Sequence, residues 1–306
     1  MSVLHEIMKH RPGMGSWQLG SDGTWSAMSK QEGIELAMSA FASGIRLFDT
    51  APGYSRGMSE TILGEALKDV RDQVFLVSKF GHRADGSSDF SSASIEGTIR
   101  ESLKRLQTNR LDALLLHNPP FDILEGKTDH FDVLRALKNK GLIRAFGVSC
   151  DTVAEMKLCL NIEGLEVLEV LCNVFFQELT PLFPIAFEQD IAIIAKVPLD
   201  SGWLTGKYDA SSVFDGVRSR WQKEDILRRA ALVAKLKEIS GSTDLTALSL
   251  GYLFSLPGLA NVIPGIRSKR QLTELVEASR FRPNPSQMSE IKELYRRDIA
   301  ERPLPW

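Results

Sequence analysis

The feature that most constrains this chain is an alternation. Short apolar runs and longer amphipathic runs follow one another along nearly its whole length. Residues 45–50, 73–79, 111–117, 142–149, 168–174, 191–196 and 261–265 read as buried strands, with GMGSWQ (13–18) as a first one ahead of them. Between them, 30–44, 59–70, 91–106, 131–141, 152–160, 181–190, 245–254 and 268–279 read as helices. In the first of these, Ile34, Ala37, Met38 and Phe41 fall at helical spacing, and Gly44 suits the C-cap. Ser59 suits an N-cap. Strands alternating with helices imply a parallel sheet, and eight such units predict an α/β fold closed as a (β/α)8 TIM barrel rather than an open doubly wound sheet. Two amphipathic segments are surplus, 223–239 and 285–299, and are predicted as accessory helices. No Pro-rich or Gly/Ser-rich linker divides residues 1–306, so the sequence predicts a single domain.

Composition removes several function classes. Lys and Arg total 37 against 39 Asp and Glu, so nucleic acid is not an expected partner and any anion site must be local. Three cysteines, Cys150, Cys159 and Cys172, are too few for a disulfide framework and fit a reducing, cytoplasmic setting. Residues 1–12 lack the apolar core of a secretory signal. No apolar run approaches the ~20 residues that cross a bilayer, so no membrane partner is expected. The five histidines show no zinc spacing with Cys or acids, so no metal is expected. There is no GxSxG elbow, P-loop or dinucleotide fingerprint.

In such a barrel the chemistry gathers at the C-terminal ends of the strands. The polar residues there are Asp49, Lys79, His117, Ser149, Asn173, Lys196 and the stretch after Pro264, with Tyr54 on the loop that follows Asp49. A lysine in a low-dielectric mouth needs an acid beside it, and Asp49 ends the neighbouring strand. A nearby ammonium favours phenolate, so the sequence predicts a lowered pKa for Tyr54 and a role as general acid or base. His117 is placed to hydrogen-bond a carbonyl or alcohol. Taken singly, each of these residues is more often structural or solvated; their convergence on one mouth gives them weight. Cys150 and Cys172 follow apolar runs and read as small packed residues.

At FDTAPGYS (48–55) the chain resembles the aldo-keto reductase family. GSWQLG (15–20), LVSKFG (76–81), LLLHNP (114–119), GLIRAFGVS (141–149), PLDSGWLTGKY (198–208) and VIPGIRSKRQL (262–272) continue the likeness in the family's order, nearly end to end. The resemblance implies an NAD(P)-dependent oxidoreductase that interconverts aldehydes or ketones with alcohols. Its catalytic set would be Asp49, Tyr54, Lys79 and His117, with Trp17, Tyr54 and His117 facing the substrate. It also implies cofactor contacts at Ser16, Trp17 and Asp49, and at Ser149 and Asn173, which would hold the carboxamide. Lys196 would lie at the nicotinamide, and Pro198, Leu199, Gly202 and Lys207 over the pyrophosphate. Pro264, Gly265, Arg267, Gln271 and Glu274 would lie around the adenosine. Arg267, Lys269 and Arg270 surround a helix N-terminus, a combination that suits a 2′-phosphate and so NADP, with NAD the alternative.

The chain departs from the family where Gly265 replaces a common lysine, Leu275 an asparagine, Cys150 an asparagine and Asn173 a glutamine. Lys196 stands where most members stack an aromatic ring, and is predicted to turn towards Asp200 or a phosphate. Two other functions stay open: an NAD-dependent sugar or polyol dehydrogenase, and a cofactor-binding regulatory protein with little turnover. The loop after His117, residues 200–222 and the segment ending Pro305-Trp306 would decide the substrate.

Overall fold

A computed structural model describes residues 2–21, 23 and 25–306. Eight strands run in sequence order as one parallel sheet: β1 Met14–Gly15, β2 Leu47–Asp49, β3 Phe75–Phe80, β4 Leu111–His117, β5 Ile143–Cys150, β6 Val167–Leu171, β7 Ala192–Lys196 and β8 Leu259–Val262. The amides of Gly13 and Gly15 donate to Val262 O and Pro264 O at 3.1 and 3.0 Å, which brings β1 against β8 and closes the barrel. The (β/α)8 expectation is met.

The helices are α1 Val3–Lys9, α2 Lys30–Ala42, α3 Met58–Leu67, α4 Ile95–Arg105, α5 Phe121–Leu124, α6 His130–Asn139, α7 Val153–Cys159, α8 Phe183–Glu188, α9 Lys223–Ser240, α10 Thr246–Phe254, α11 Lys269–Ala278 and α12 Pro285–Asp298. Ser29, Thr152 and Asn284 cap α2, α7 and α12 with side chains that accept the N3 amide, as their residue types favour. The surplus segments fold as α9 and α12.

Boundaries moved where side chains took over backbone groups. β6 stops at Leu171, not Val174, because Asn173 turns the chain: its Oδ1 accepts the Phe175 amide at 2.8 Å and its backbone pairs with Phe176. β8 starts two residues earlier and ends three residues earlier than expected, and Pro264, without an N–H, lies beyond its end.

Side chains alternate across each strand, and that alternation makes two cores. One set packs inside the barrel: Leu47, Phe75, Val77, Ala113, Leu115, Ala145, Val167, Ala192 and Ile194. The other set lies between sheet and helices, as with Phe48, Leu76, Leu114, Phe146 and Leu168. Leu4 and Ile7 of α1 join the interior set. Helix α1, which the sequence reading did not anticipate, thus stoppers the end of the barrel opposite the strand tips. Asn261 ties it down, donating to Ile7 O and His10 O while accepting from Gly13 N. Gly147 of β5 has no room for a side chain: a Cβ there would lie 1.8 Å from Val167 O.

Candidate active site

Following the interior face up each strand gives the mouth of the barrel. Leu47 leads to Asp49, Val77 to Lys79, Leu115 to His117, Ala145 to Ser149, Val167 to Glu169 and Ile194 to Lys196. Six polar side chains therefore enter one chamber at the strand tips, because the period of a strand is two.

Lys79 is 1% exposed. Its Nζ donates to Asp49 Oδ1 at 2.6 Å and Thr50 O at 3.1 Å, and lies 3.5 Å from the Tyr54 hydroxyl. Burial opposes its charge, but Asp49, Glu169 and Tyr54 together outweigh burial and raise its pKa, so it stays an ammonium. Burial and then the nearby Glu169 push Asp49 well above the usual carboxylate range against the pull of Lys79. The Tyr54 phenol moves up, not down. Burial raises it, Lys79 lowers it, and Asp49 and Glu169 raise it again. The expectation of a lowered tyrosine pKa counted the ammonium alone and is corrected: burial outweighs that ammonium, and two carboxylates add to burial. Tyr54 is held as a neutral phenol, the form that can donate a proton.

His117 closes the third side. Its ring lies 6.2 Å from the Tyr54 ring, edge to face, and its Nδ1 is buried without a partner. Burial, then Lys79, Lys196 and His82, hold its pKa well below the ordinary histidine value, so it is a neutral hydrogen-bonding group. Trp17, 37% exposed, stacks over Tyr54 at 6.0 Å and meets Trp25 at 5.2 Å. His82 packs against His117 at 4.8 Å and adds an imidazole to the wall.

Lys196 points elsewhere than expected. Its Nζ lies 2.9 Å from Asp151, 2.8 Å from Ser149 Oγ and 3.1 Å from Asn118 Oδ1. Asp200, the partner proposed from sequence, is fully buried with Arg229 of α9 at 2.9 Å. The reason is geometric: an inward residue on β7 reaches the tips of β4 and β5 across the mouth, whereas Asp200 has already turned outward in the following loop. Asn173 is fully buried and both ends of its amide serve backbone groups, Val197 O and Phe175 N. Ser16 is also fully buried, with its hydroxyl on Asp49 O and Ser59.

The loop after β7 carries Pro198, Leu199, Gly202 and Lys207. It is a tight turn in which Asp200, Ser201 and Gly202 all have positive φ. At Gly202, φ is +105° and a Cβ would crowd Tyr208 and Lys207 at 3.1 and 3.3 Å. Across the mouth, Arg218 lies over Trp25 at 4.7 Å and donates to Ser201 O, while Arg267 donates to Ser26 O. Among the described residues, Arg218, Arg220 and Arg267 make no ion pair, and Arg267 Nε is buried without a partner. Pro264 and Gly265 border β1, with Gly265 bridged to Gly15. At the start of α11, Ser268 caps Gln271 N, Gln271 Oε1 accepts from Arg267 N, and Glu274 pairs with Arg270 at 3.4 Å. Lys269 and Arg270 are exposed beside that helix N-terminus. This is a concentration of positive charge with open donors, and its residues fit a phosphate-bearing dinucleotide.

The sequence profile of the Aldo/keto reductase family matches residues 13–296. The chain belongs to the aldo/keto reductase family. It is therefore an oxidoreductase of that family. Among its relatives, the aldo-keto reductase YhdN of Bacillus subtilis is 29% identical, over 96% of this chain and 92% of that protein. The NADH-specific methylglyoxal reductase of Escherichia coli is 28% identical, over 89% and 90%. The solved glycerol dehydrogenase AKR11B4 from Gluconobacter oxydans superposes with a TM-score of 0.79 at 24% identity, over 94% of this chain and 92% of that one.

Several site residues were missed from the sequence. Asn118 and Asp151 immediately follow β4 and β5, so the strand-tip rule could have found them. Glu169 carried a stronger signal, a lone acid inside the apolar run VLEVL. Arg218 and Arg220 lie in the long loop, with no local pattern to mark them.

Proposed function

We propose that this aldo/keto reductase uses NADPH in preference to NADH to reduce a small aldehyde or ketone to its alcohol, with Tyr54 as the proton donor. The observation that carries the reading is the neutral Tyr54 hydroxyl 3.5 Å from the buried Lys79 ammonium, with His117 on the adjoining strand tip. Reduced nicotinamide, when bound, supplies the hydride. His117, neutral, hydrogen-bonds the carbonyl oxygen and orients it. Tyr54 gives that oxygen its proton, a downhill transfer because an alkoxide is more basic than a phenolate. Lys79 stabilises the phenolate left behind, and Asp49 fixes Lys79. Trp17 and His82 bound the substrate space.

The open donors of Arg267, Lys269 and Arg270 support a 2′-phosphate at the adenosine end, and Arg218, Arg220 and Lys207 a pyrophosphate beside the β7 loop. Ser149 and Asn118, already joined to Lys196, are the groups placed to meet a carboxamide. Asn173 and Ser16 support the site by holding loops. The three cysteines are free and buried, which fits the cytoplasm.

The test is a steady-state screen of aldehydes, ketones and sugars with NADPH and NADH, followed by Tyr54→Phe. Turnover should fall about 10²- to 10⁴-fold, while quenching of NADPH fluorescence on binding is unchanged. Full turnover in Tyr54→Phe would overturn the assignment. Tighter binding of NADH than of NADPH would overturn the cofactor preference.

A further inference from the structure

The catalytic lysine has two counter-ions, not one. Glu169 of β6 is 2% exposed and its Oε2 lies 3.3 Å from Lys79 Nζ. That oxygen makes no directed hydrogen bond, although it is buried. The Oε1 oxygen lies 3.5 Å from Ser149 Oγ. The groups facing this cluster are Asp49 on β2, Tyr54 on the loop after it, Lys79 on β3, His117 on β4, Ser149 on β5 and Lys196 on β7. Lys196 is already matched to Asp151. His117 is neutral. With both carboxylates ionised, Asp49, Glu169 and Lys79 would be two negative charges and one positive, all on buried side chains. An unbalanced buried charge is expensive, and two carboxylates on one site cannot both ionise freely.

We propose that Asp49 and Glu169 share one proton across Lys79, and that this proton restores Tyr54 after each reduction. This rests on the proton-donor reading of Tyr54. When the Tyr54 O–H bond breaks, its proton goes to the carbonyl oxygen and a phenolate remains. An N–H of Lys79 gives its proton to that phenolate. The carboxyl O–H of the Asp49–Glu169 pair then gives its proton to the Lys79 nitrogen, and the dicarboxylate recovers one from water. No electrons move in these steps, and one proton is consumed per carbonyl reduced. The polar path from Glu169 through Ser149 and Lys196 to Asp151, which is 27% exposed, leads from the pair to solvent. The raised Asp49 carboxyl, with Glu169 among its causes, agrees with a proton held between the two.

Glu169→Gln keeps the shape and removes the second acid. Asp49 is then ionised beside Lys79 with no shared proton to give, so Tyr54 is restored only from solvent and the alkaline limb of the reduction pH–rate profile moves about one unit lower, a tenfold rate loss at a fixed pH on that limb. Glu169→Asp keeps the acid and stays with the wild type. The second readout needs neither cofactor nor variant. In cofactor-free wild-type protein, ¹³C labelling of glutamate carboxyls should shift a protonated-carboxyl infrared band at neutral pH. An unmoved limb in Glu169→Gln overturns the proposal, as does the absence of any band that shifts with glutamate labelling. Both differ from failure of the proton-donor reading, which is decided by Tyr54→Phe alone.

Discussion

His117 shows how far burial governs a single residue. A histidine at the tip of a strand is an ordinary titrating group in the unfolded chain, with a pKa near 6.5. In the folded chain, burial, then the ammonium groups of Lys79 and Lys196, keep it neutral to much lower pH. The unfolded state therefore binds a proton that the folded state refuses. Stability is present above about pH 6.5 and is lost as pH falls below it, towards the depressed folded value. The slope from one such group is about 1.4 kcal/mol per pH unit. Urea unfolding at stepped pH should show His117→Gln losing less stability on acidification than the wild type. Parallel curves would mean that His117 titrates normally. The same logic corrected Tyr54, where burial, and after it two carboxylates, outweighed the one ammonium visible from the sequence.

At the scale of elements, the barrel depends on close approach between β5 and β6. Gly147 faces the Val167 carbonyl so closely that any side chain must push the strands apart. Gly147→Ala should destabilise the protein by about 3 kcal/mol, the upper range for forcing extra volume into a packed interior. The check is the urea midpoint or, where expression fails, the loss of folded protein; an unchanged midpoint would show that the two strands can part without penalty. Because Ser149 and Glu169 lie further along these two strands, the same substitution should also disturb the chamber. The strands and the main helices were legible because their periodicities are strong and repeated. The ends were not. β6 ended early because Asn173 captured backbone groups, and α1 was overlooked because seven residues with two buried positions make a weak pattern.

At the scale of the whole molecule, α9 does more than flank the barrel. Its Arg229 reaches the turn after β7 and pairs with Asp200, both fully buried. Burial raises the Asp200 carboxyl, and Arg229 is the main influence pulling it back. Arg229→Leu would leave a buried carboxylate without its partner, a loss of about 3–5 kcal/mol. It should also weaken NADPH binding, since the same loop carries the turn at Gly202 and leads to Arg218. Adding Asp200→Asn should restore part of the stability. Chemical denaturation and fluorescence titration of both variants check this; a single variant as stable as the wild type would sink it.

The sequence by itself determined the barrel and its family, and it marked Asp49, Tyr54, Lys79 and His117 as candidates for the site. It could do so because strand period, helix period and motif spacing are local properties of the chain. Only the tertiary structure decided which charges share a chamber. Lys196 met Asp151 rather than Asp200, Arg229 came from an accessory helix, and Glu169 joined Lys79 from 90 residues away. Those pairings depend on barrel closure, which sets strand tips from distant parts of the chain face to face. They in turn set the protonation of Tyr54.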